Sequence, residues 1–386
     1  MKKILLLTLF AMLALVPLAN AAPIGVLPPK AKPQPVEVVK IGVSIGLTGP
    51  LALIGNDEIR GIRMAVDELN AEGVVINGKP VTIAIELFDD ATDIVKAGLG
   101  VHYLNDRKVV AAIANSRSAV TISTAAQYNR LRIAQVTPNG TTPKFTEMGF
   151  DTTFRPLTND AFQSQELVNY ARDLGVKTVV TVDNGDASGV YMTQAFAKKA
   201  PDAGIKVLSH EQTSTMGFGA TDYSAIITRI RSLNPDAILL GGSYDLAAPF
   251  IIQAHRLGLK ETKFLFGPGS CLPNFAYYTN YSDLTRMYCT NNEPKADGTG
   301  YQKFKAKYKL LYKEQTGPFA PYAYDSVYLI VRAMQLAGST DREAIIKALH
   351  QIDWTGITGR KQFTESGELT HPHLTRHTFD EKGNLK

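Results

Sequence analysis

The sequence predicts an α/β fold of two doubly wound lobes, each built on a mainly parallel sheet. Three observations carry this prediction. From Val38 onward, β-rich runs alternate with runs of helical apolar spacing. Repeated strand–helix–strand units require parallel sheets with helices on both faces. Second, Leu174-Gly175-Val176-Lys177, Ala203-Gly204-Ile205-Lys206 and Leu257-Gly258-Leu259-Lys260 share one punctuation. In each, Gly closes a helix and an apolar residue opens a strand. Third, at least eight strand segments fall before residue 270, which suits two modest sheets better than one wide one.

Taken in order, the chain opens with Lys2 and Lys3, an apolar stretch from Ile4 to Leu15, and the small-residue site Ala19-Asn20-Ala21. This three-part pattern predicts a cleaved secretory signal over 1–21 and a periplasmic protein. No Cys follows the site, so no lipid attachment is expected there. Residues 22–37 carry Pro23, Pro28, Pro29, Pro33 and Pro35, a lead too proline-rich for regular ladders. VVKIGVSIG (38–46) is the first strand, followed by the loop LTGPLALIG (47–55). Asn56 or Asp57 is expected to cap a helix running to about Ala71, stopped by Gly73. Val81, Ile83, Ile85 and Leu87 alternate as a strand. VVAAIA (109–114), LRIAQVTP (131–138), KTVVTVD (177–183), IKVLSHE (205–211), DAILLGG (236–242) and KFLFGP (263–268) follow as strands. FRPLTNDAFQS (154–164) reads as the first crossing between lobes, and 359–386 as β segments joined by Gly turns.

Composition excludes several classes of function. The 386 residues are 45% hydrophobic and 20% charged, which rules out a disordered or collagen-like chain. The formal charge of +5 is spread without a basic block, so nucleic acid is not an expected partner. No phosphate-cradling glycine loop occurs, and no cofactor is expected. His371, His373 and His377 cluster near the C-terminus, but Pro372 interrupts them and no ligand set completes a metal site. They read as an edge strand. Gly42-Val43-Ser44-Ile45-Gly46 has the form of a nucleophile elbow, which would make the protein a secreted serine hydrolase. The match lies inside a β-rich run rather than before a helix, so Ser44 reads as a strand residue. Cys271 and Cys289 are the only thiols, and in an exported chain they are expected to pair.

Two loops invite a ligand. Asn115-Ser116-Arg117-Ser118 follows VVAAIA, and Thr137-Pro138-Asn139-Gly140-Thr141-Thr142 follows LRIAQ. Both place hydroxyls and backbone amides at the C-terminal edge of a parallel sheet, where open α/β folds bind ligands. Helix N-termini there attract anions. Turn bracing by Ser118 and Thr141 is the alternative reading.

With IGVSIGLTGPLALIGND, ELFDDATD, VTPNGTTP, TFRPLTND, LLGGSYDLAAPFIIQAHRLGLK, FLFGPGS and PYAYDSVYLIVRAMQLAG in this order, the chain resembles the periplasmic leucine/isoleucine/valine-binding proteins of ABC importers. The resemblance covers nearly all of residues 38–386. It implies a type I periplasmic-binding fold: two lobes, three crossings, and a cleft that closes on a small-molecule solute. Lobe one would comprise 38–156 and 291–359, and lobe two 157–290 and 360–386. It also implies a monomer that performs no catalysis and delivers its solute to ABC permease membrane subunits. A sensor that reports occupancy to a signalling partner is the alternative use of the same fold. The resemblance places Ser116 and Ser118 at the ligand carboxylate, and Asn139 and Thr141 beside the amino group. Ser188 takes a position that is often aromatic, Tyr244 adjoins the contact position Ser243, and Phe319 and Tyr322 lie toward the apolar end of the cleft. One departure stands out. The turn Gly267-Pro268-Gly269-Ser270 has Gly269 where amino-acid binders carry the acid for the ligand ammonium. Either Asp245 or Asp186 replaces that acid, or the solute has no ammonium and is a small organic acid, an aromatic acid or an amide. The second alternative is preferred, with Arg117 as a further carboxylate partner.

Overall fold

The computed structural model describes residues 36–213, 222–280, 283–293 and 298–386. The expected signal segment and most of the Pro-rich lead lie outside them.

The first lobe opens with β1 (Glu37–Ile45), α1 (Ala52–Glu72), β2 (Val74–Ile76), β3 (Lys79–Asp89) and α2 (Ile94–Asp106), then β4 (Ala111–Ala114), α3 (Ser118–Arg130), β5 (Ala134–Val136) and β6 (Thr153–Phe154). Its sheet has the order β2-β3-β1-β4-β5-β6. All pairings are parallel except the β2–β3 hairpin. The chain then builds α4 (Asp160–Asp173), β7 (Thr178–Asp183), α5 (Ala187–Lys199), β8 (Lys206–Gln212), α6 (Ser224–Leu233), β9 (Ala237–Gly241), α7 (Tyr244–Arg256), β10 (Lys263–Phe266), α8 (Phe275–Tyr278) and β11 (Met287–Asn291). It continues with α9 (Thr299–Tyr312), α10 (Ala320–Ala337) and α11 (Arg342–Gln351), which pack on the first lobe's core. The hairpin β12 (Trp354–Gly356) and β13 (Gly359–Lys361) precedes β14 (Thr375–Thr378). β14 closes the second sheet, of order β14-β11-β10-β9-β7-β8, as its one antiparallel edge.

Three crossings therefore join the lobes: after β6, after β11, and between β13 and β14. The first and third are locked together. Arg155, fully buried, pairs with Glu368, and Thr158 Oγ1 donates to the His373 carbonyl at 2.7 Å.

Local chemistry accounts for most boundaries. Gly175, Gly204 and Gly258 all adopt positive φ, the left-handed geometry that ends a helix. One expected boundary is corrected. α1 begins at Ala52, ahead of Asn56. The Asn56 amide donates to the Leu47 and Ala52 carbonyls from within the first turns. Asp57 is not a cap but a tertiary acceptor, taking bonds from the Tyr308 hydroxyl and the Gly317 and Ala320 amides. Ser44 sits fully buried in β1, its hydroxyl donated to Asp90 at 3.1 Å, as a strand residue would be. Cys271 and Cys289 form a disulfide tying the segment after β10 to β11.

The second lobe's core also takes in Leu51, Ile54, Phe319 and Tyr322. An apolar seam thus joins the lobes beside the polar gap described next.

Candidate functional site

The loop after β4 is held by Asn115. Its side-chain amide donates to Asp90 at 2.8 Å, and its oxygen accepts from Thr124 at 3.0 Å. This hub presents Ser116, Arg117 and Ser118 at the start of α3. The N-terminus of α3 carries no side-chain cap, so its positive dipole end faces the gap. The loop after β5 folds onto it. The Thr141 and Thr142 amides donate to Ser118 Oγ at 3.0 and 3.3 Å, and the Asn139 amide donates to the Ser116 carbonyl at 3.1 Å. Arg155 braces the far side by donating to the Gly140 and Thr142 carbonyls.

Across the gap, the second lobe presents the N-termini of α5 and α7. Asp186 caps α5 by accepting from Ser188 N at 3.2 Å, and Asp245 lies in the first turn of α7. Two side-chain bonds span the lobes here. Arg117 Nε donates to Asp186 at 2.9 Å, and Thr141 and Ser188 share a hydroxyl bond of 3.1 Å. Arg117 is 7% exposed, and its second arm lies 3.8 Å from Asp245. Far from facing solvent, it is the cation between two buried acids.

Ser116, Ser118, Asn139, Thr141, Ser188, Gly269 and Phe319 all line one cavity of about 40 Å³, together with Arg117 and Asp186. Tyr244 lines a neighbouring chamber of about 730 Å³, and its hydroxyl donates to the Pro50 carbonyl at 2.9 Å across the lobes. Phe319 is shared by both spaces. Tyr322 lines neither and so departs from its expected place. From the first turn of α10 it turns toward the third crossing, with Lys361 Nζ 5.0 Å from its ring and its hydroxyl donated to the Asn292 carbonyl. At Gly269, a Cβ would be driven into Ser243 Oγ, so this turn has no room for an acidic side chain as it stands.

Sequence reasoning missed two carboxyls behind the cavity, Glu58 and Asp160. Ser116 donates its hydroxyl to Glu58 at 2.5 Å, so that hydroxyl already has an internal partner. Desolvation pushes the Glu58 carboxyl up to about 8, against the lowering effect of the Ser116 bond. Glu58 is therefore protonated at neutral pH. Asp160, which accepts from Thr142 Oγ1, is pushed up to about 6 by burial. Burial also raises Asp245, with Arg117 opposing. Glu58 was legible in principle: Ile54, Glu58 and Ile62 fall on one helical stripe, and an acid between two apolar neighbours signals a buried partner.

The fold has counterparts among known proteins. A model described as periplasmic binding protein matches residues 38–376. The chain belongs to the periplasmic binding protein family. It is similar to Leu/Ile/Val-binding protein homolog 1 of Brucella abortus, 26% identical over 348 residues, covering 89% of this chain and 91% of that protein. It is also similar to Leu/Ile/Val-binding protein BraC3 of Rhizobium johnstonii, 26% identical over 391 residues, with 98% and 97% covered. Among solved structures, the leucine binding protein LivK of Thermotoga maritima superposes with a TM-score of 0.81 at 25% identity, covering 90% of this chain and 97% of that one. A Rhodopseudomonas palustris solute-binding protein in complex with benzoate shares the fold, with a TM-score of 0.79 at 18% identity and 90% and 95% covered. Membership in this periplasmic family makes the protein a solute-binding protein. Among the described residues no helix is long and apolar enough to cross a membrane.

Proposed function

We propose that this protein is the solute receptor of an ABC importer, that it clamps a small carboxylate-bearing solute between its lobes, and that it hands the solute to a membrane permease. The carrying observation is the interlobe gap itself. The uncapped N-terminus of α3, with Ser118 and Thr141, faces Asp186 and Ser188 across it, and both lobes already bond through it. A carboxylate fits the α3 side, where amides, hydroxyls and the dipole favour an anion. The preferred solute is a small organic or aromatic acid or an amide. Gly269 offers no acid for an ammonium, and Asp186 is committed to Arg117 and to the α5 cap.

One observation favours a second reading, an amino-acid-like solute. The Asp245 carboxyl is 1% exposed, and the Arg117 guanidinium stands 3.8 Å from it, beyond hydrogen-bond range. A ligand ammonium would supply a charge-assisted donor at closer range. The names of the Leu/Ile/Val-binding relatives point the same way. A thermal-shift screen over aliphatic acids, aromatic acids, amides and amino acids decides between them. At a concentration 100-fold above its Kd, a bound solute stabilises the fold by ~2.7 kcal/mol. Victory of the branched-chain amino acids, abolished in Asp245→Asn, would overturn the preferred class.

A further inference from the structure

We propose that the 730 Å³ chamber beside the polar gap receives the apolar body of the solute, which is therefore an elongated, ring-bearing acid or amide. This deepens the function proposed above and rests on it. The two spaces differ in size by more than tenfold, at about 40 and 730 Å³. The small one accommodates a polar head group, whereas the large one falls within the roughly 300–1,000 Å³ typical of small-molecule pockets. They are contiguous along the chain on both lobes. Leu51 and Ser243 face the small cavity while Pro50 and Tyr244 face the large one, and Phe319 belongs to both. The partition is thus made of side chains and includes the interlobe hydrogen bond from Tyr244 to Pro50. Parting the lobes breaks that bond and joins the spaces.

The lining specifies the chemistry. Tyr244 and Tyr278 form a tilted pair with centroids 5.3 Å apart, and Leu272, Leu53 and Phe319 add apolar wall, while Asn56, Asn274 and Gln315 add polar groups. Such walls suit the face and edge of a planar ring. The charged groups of the chamber have partners of their own. Asp57 accepts from Tyr308, Gly317 and Ala320, and Arg60 pairs with Glu314 at 2.6 Å. Neither calls for a charge at the far end of the solute. The chamber wall at Leu272 directly follows Cys271, so the disulfide to β11 anchors it.

The test is titration calorimetry with benzoate, 3-phenylpropionate and 5-phenylpentanoate on the wild-type protein, on Leu53→Trp, which fills the chamber, and on Tyr278→Ala, which strips a wall. The inference expects affinity to rise at least ~10-fold from benzoate to the longest acid, as burial of several methylenes and a ring predicts. It expects either variant to erase most of that gain, the longest acid losing more affinity than benzoate does. Equal affinities along the series, or a gain untouched by both variants, would overturn the chamber assignment while leaving carboxylate capture standing. Binding of none of the three acids, with leucine bound, would overturn the acid reading and the chamber assignment together.

Discussion

At the scale of single residues, the site is a set of hydroxyls whose partners separate ligand contacts from braces. Ser118 Oγ accepts the Thr141 and Thr142 amides, and Ser116 Oγ is spent on Glu58. Thr141 Oγ1, by contrast, reaches the facing lobe. Thr141→Ala should therefore weaken solute binding by about 10-fold, the worth of a hydrogen bond to a charged group, as read by calorimetry. Ser116→Ala should act chiefly through stability, because it removes a hydroxyl donor from the buried Glu58. Glu58 itself imposes a pH dependence. Its pKa of about 8 lies above the ordinary 4.5. The folded state therefore binds the extra proton between those values, and the group's contribution is full below pH 4.5 and lost as pH rises toward 8. Glu58→Gln should remove that loss, so the melting-temperature difference from wild type should shift in the variant's favour by about 2 °C or more between pH 5 and 8.

Elements hold these residues where they must be. α1 and α10 approach so closely that a Cβ on Gly61 would enter the Ala320 carbonyl. Because the cavity residue Phe319 immediately precedes α10, this contact sets the cleft wall as well as the core. Gly61→Ala should destabilise the protein by ~1–3 kcal/mol, as overpacking does, in urea denaturation. On the other lobe, the disulfide closes an 18-residue separation. Replacing both cysteines with Ser should cost about 3 kcal/mol in the same assay. The helix ends were largely readable beforehand, because Gly175, Gly204 and Gly258 serve local backbone geometry. The start of α1 was not, because Asp57 is claimed by Tyr308, more than 200 residues away.

Across the whole molecule, the gap is a balance of charge between lobes. Arg117 from the first lobe sits against Asp186 and Asp245 from the second. Removing the cation leaves two buried acids facing each other without compensation. On the proposed clamp, parting of the lobes relieves this cost without unfolding. Arg117→Ala should thus show a larger radius of gyration in small-angle scattering and about 10-fold weaker solute binding. An unchanged radius would remove Arg117 from control of closure.

The sequence by itself determined the alternation of strands and helices, the glycine stops, and the two hydroxyl-rich loops that follow β4 and β5. All of these are encoded within a few neighbouring residues, by apolar period or by turn chemistry, and their order carried the family. Only the tertiary structure decided which side chains meet. It joined Arg117 to Asp186, Ser116 to Glu58 and Arg155 to Glu368, and it turned Tyr322 away from the cleft toward Lys361. Such pairings depend on how segments far apart in the chain are brought together, within a lobe for Ser116 and Glu58 and between two sheets linked three times for Arg117 and Asp186. Local pattern carries no record of that distance, so polar groups that look solvated along the chain become partners only in the folded molecule.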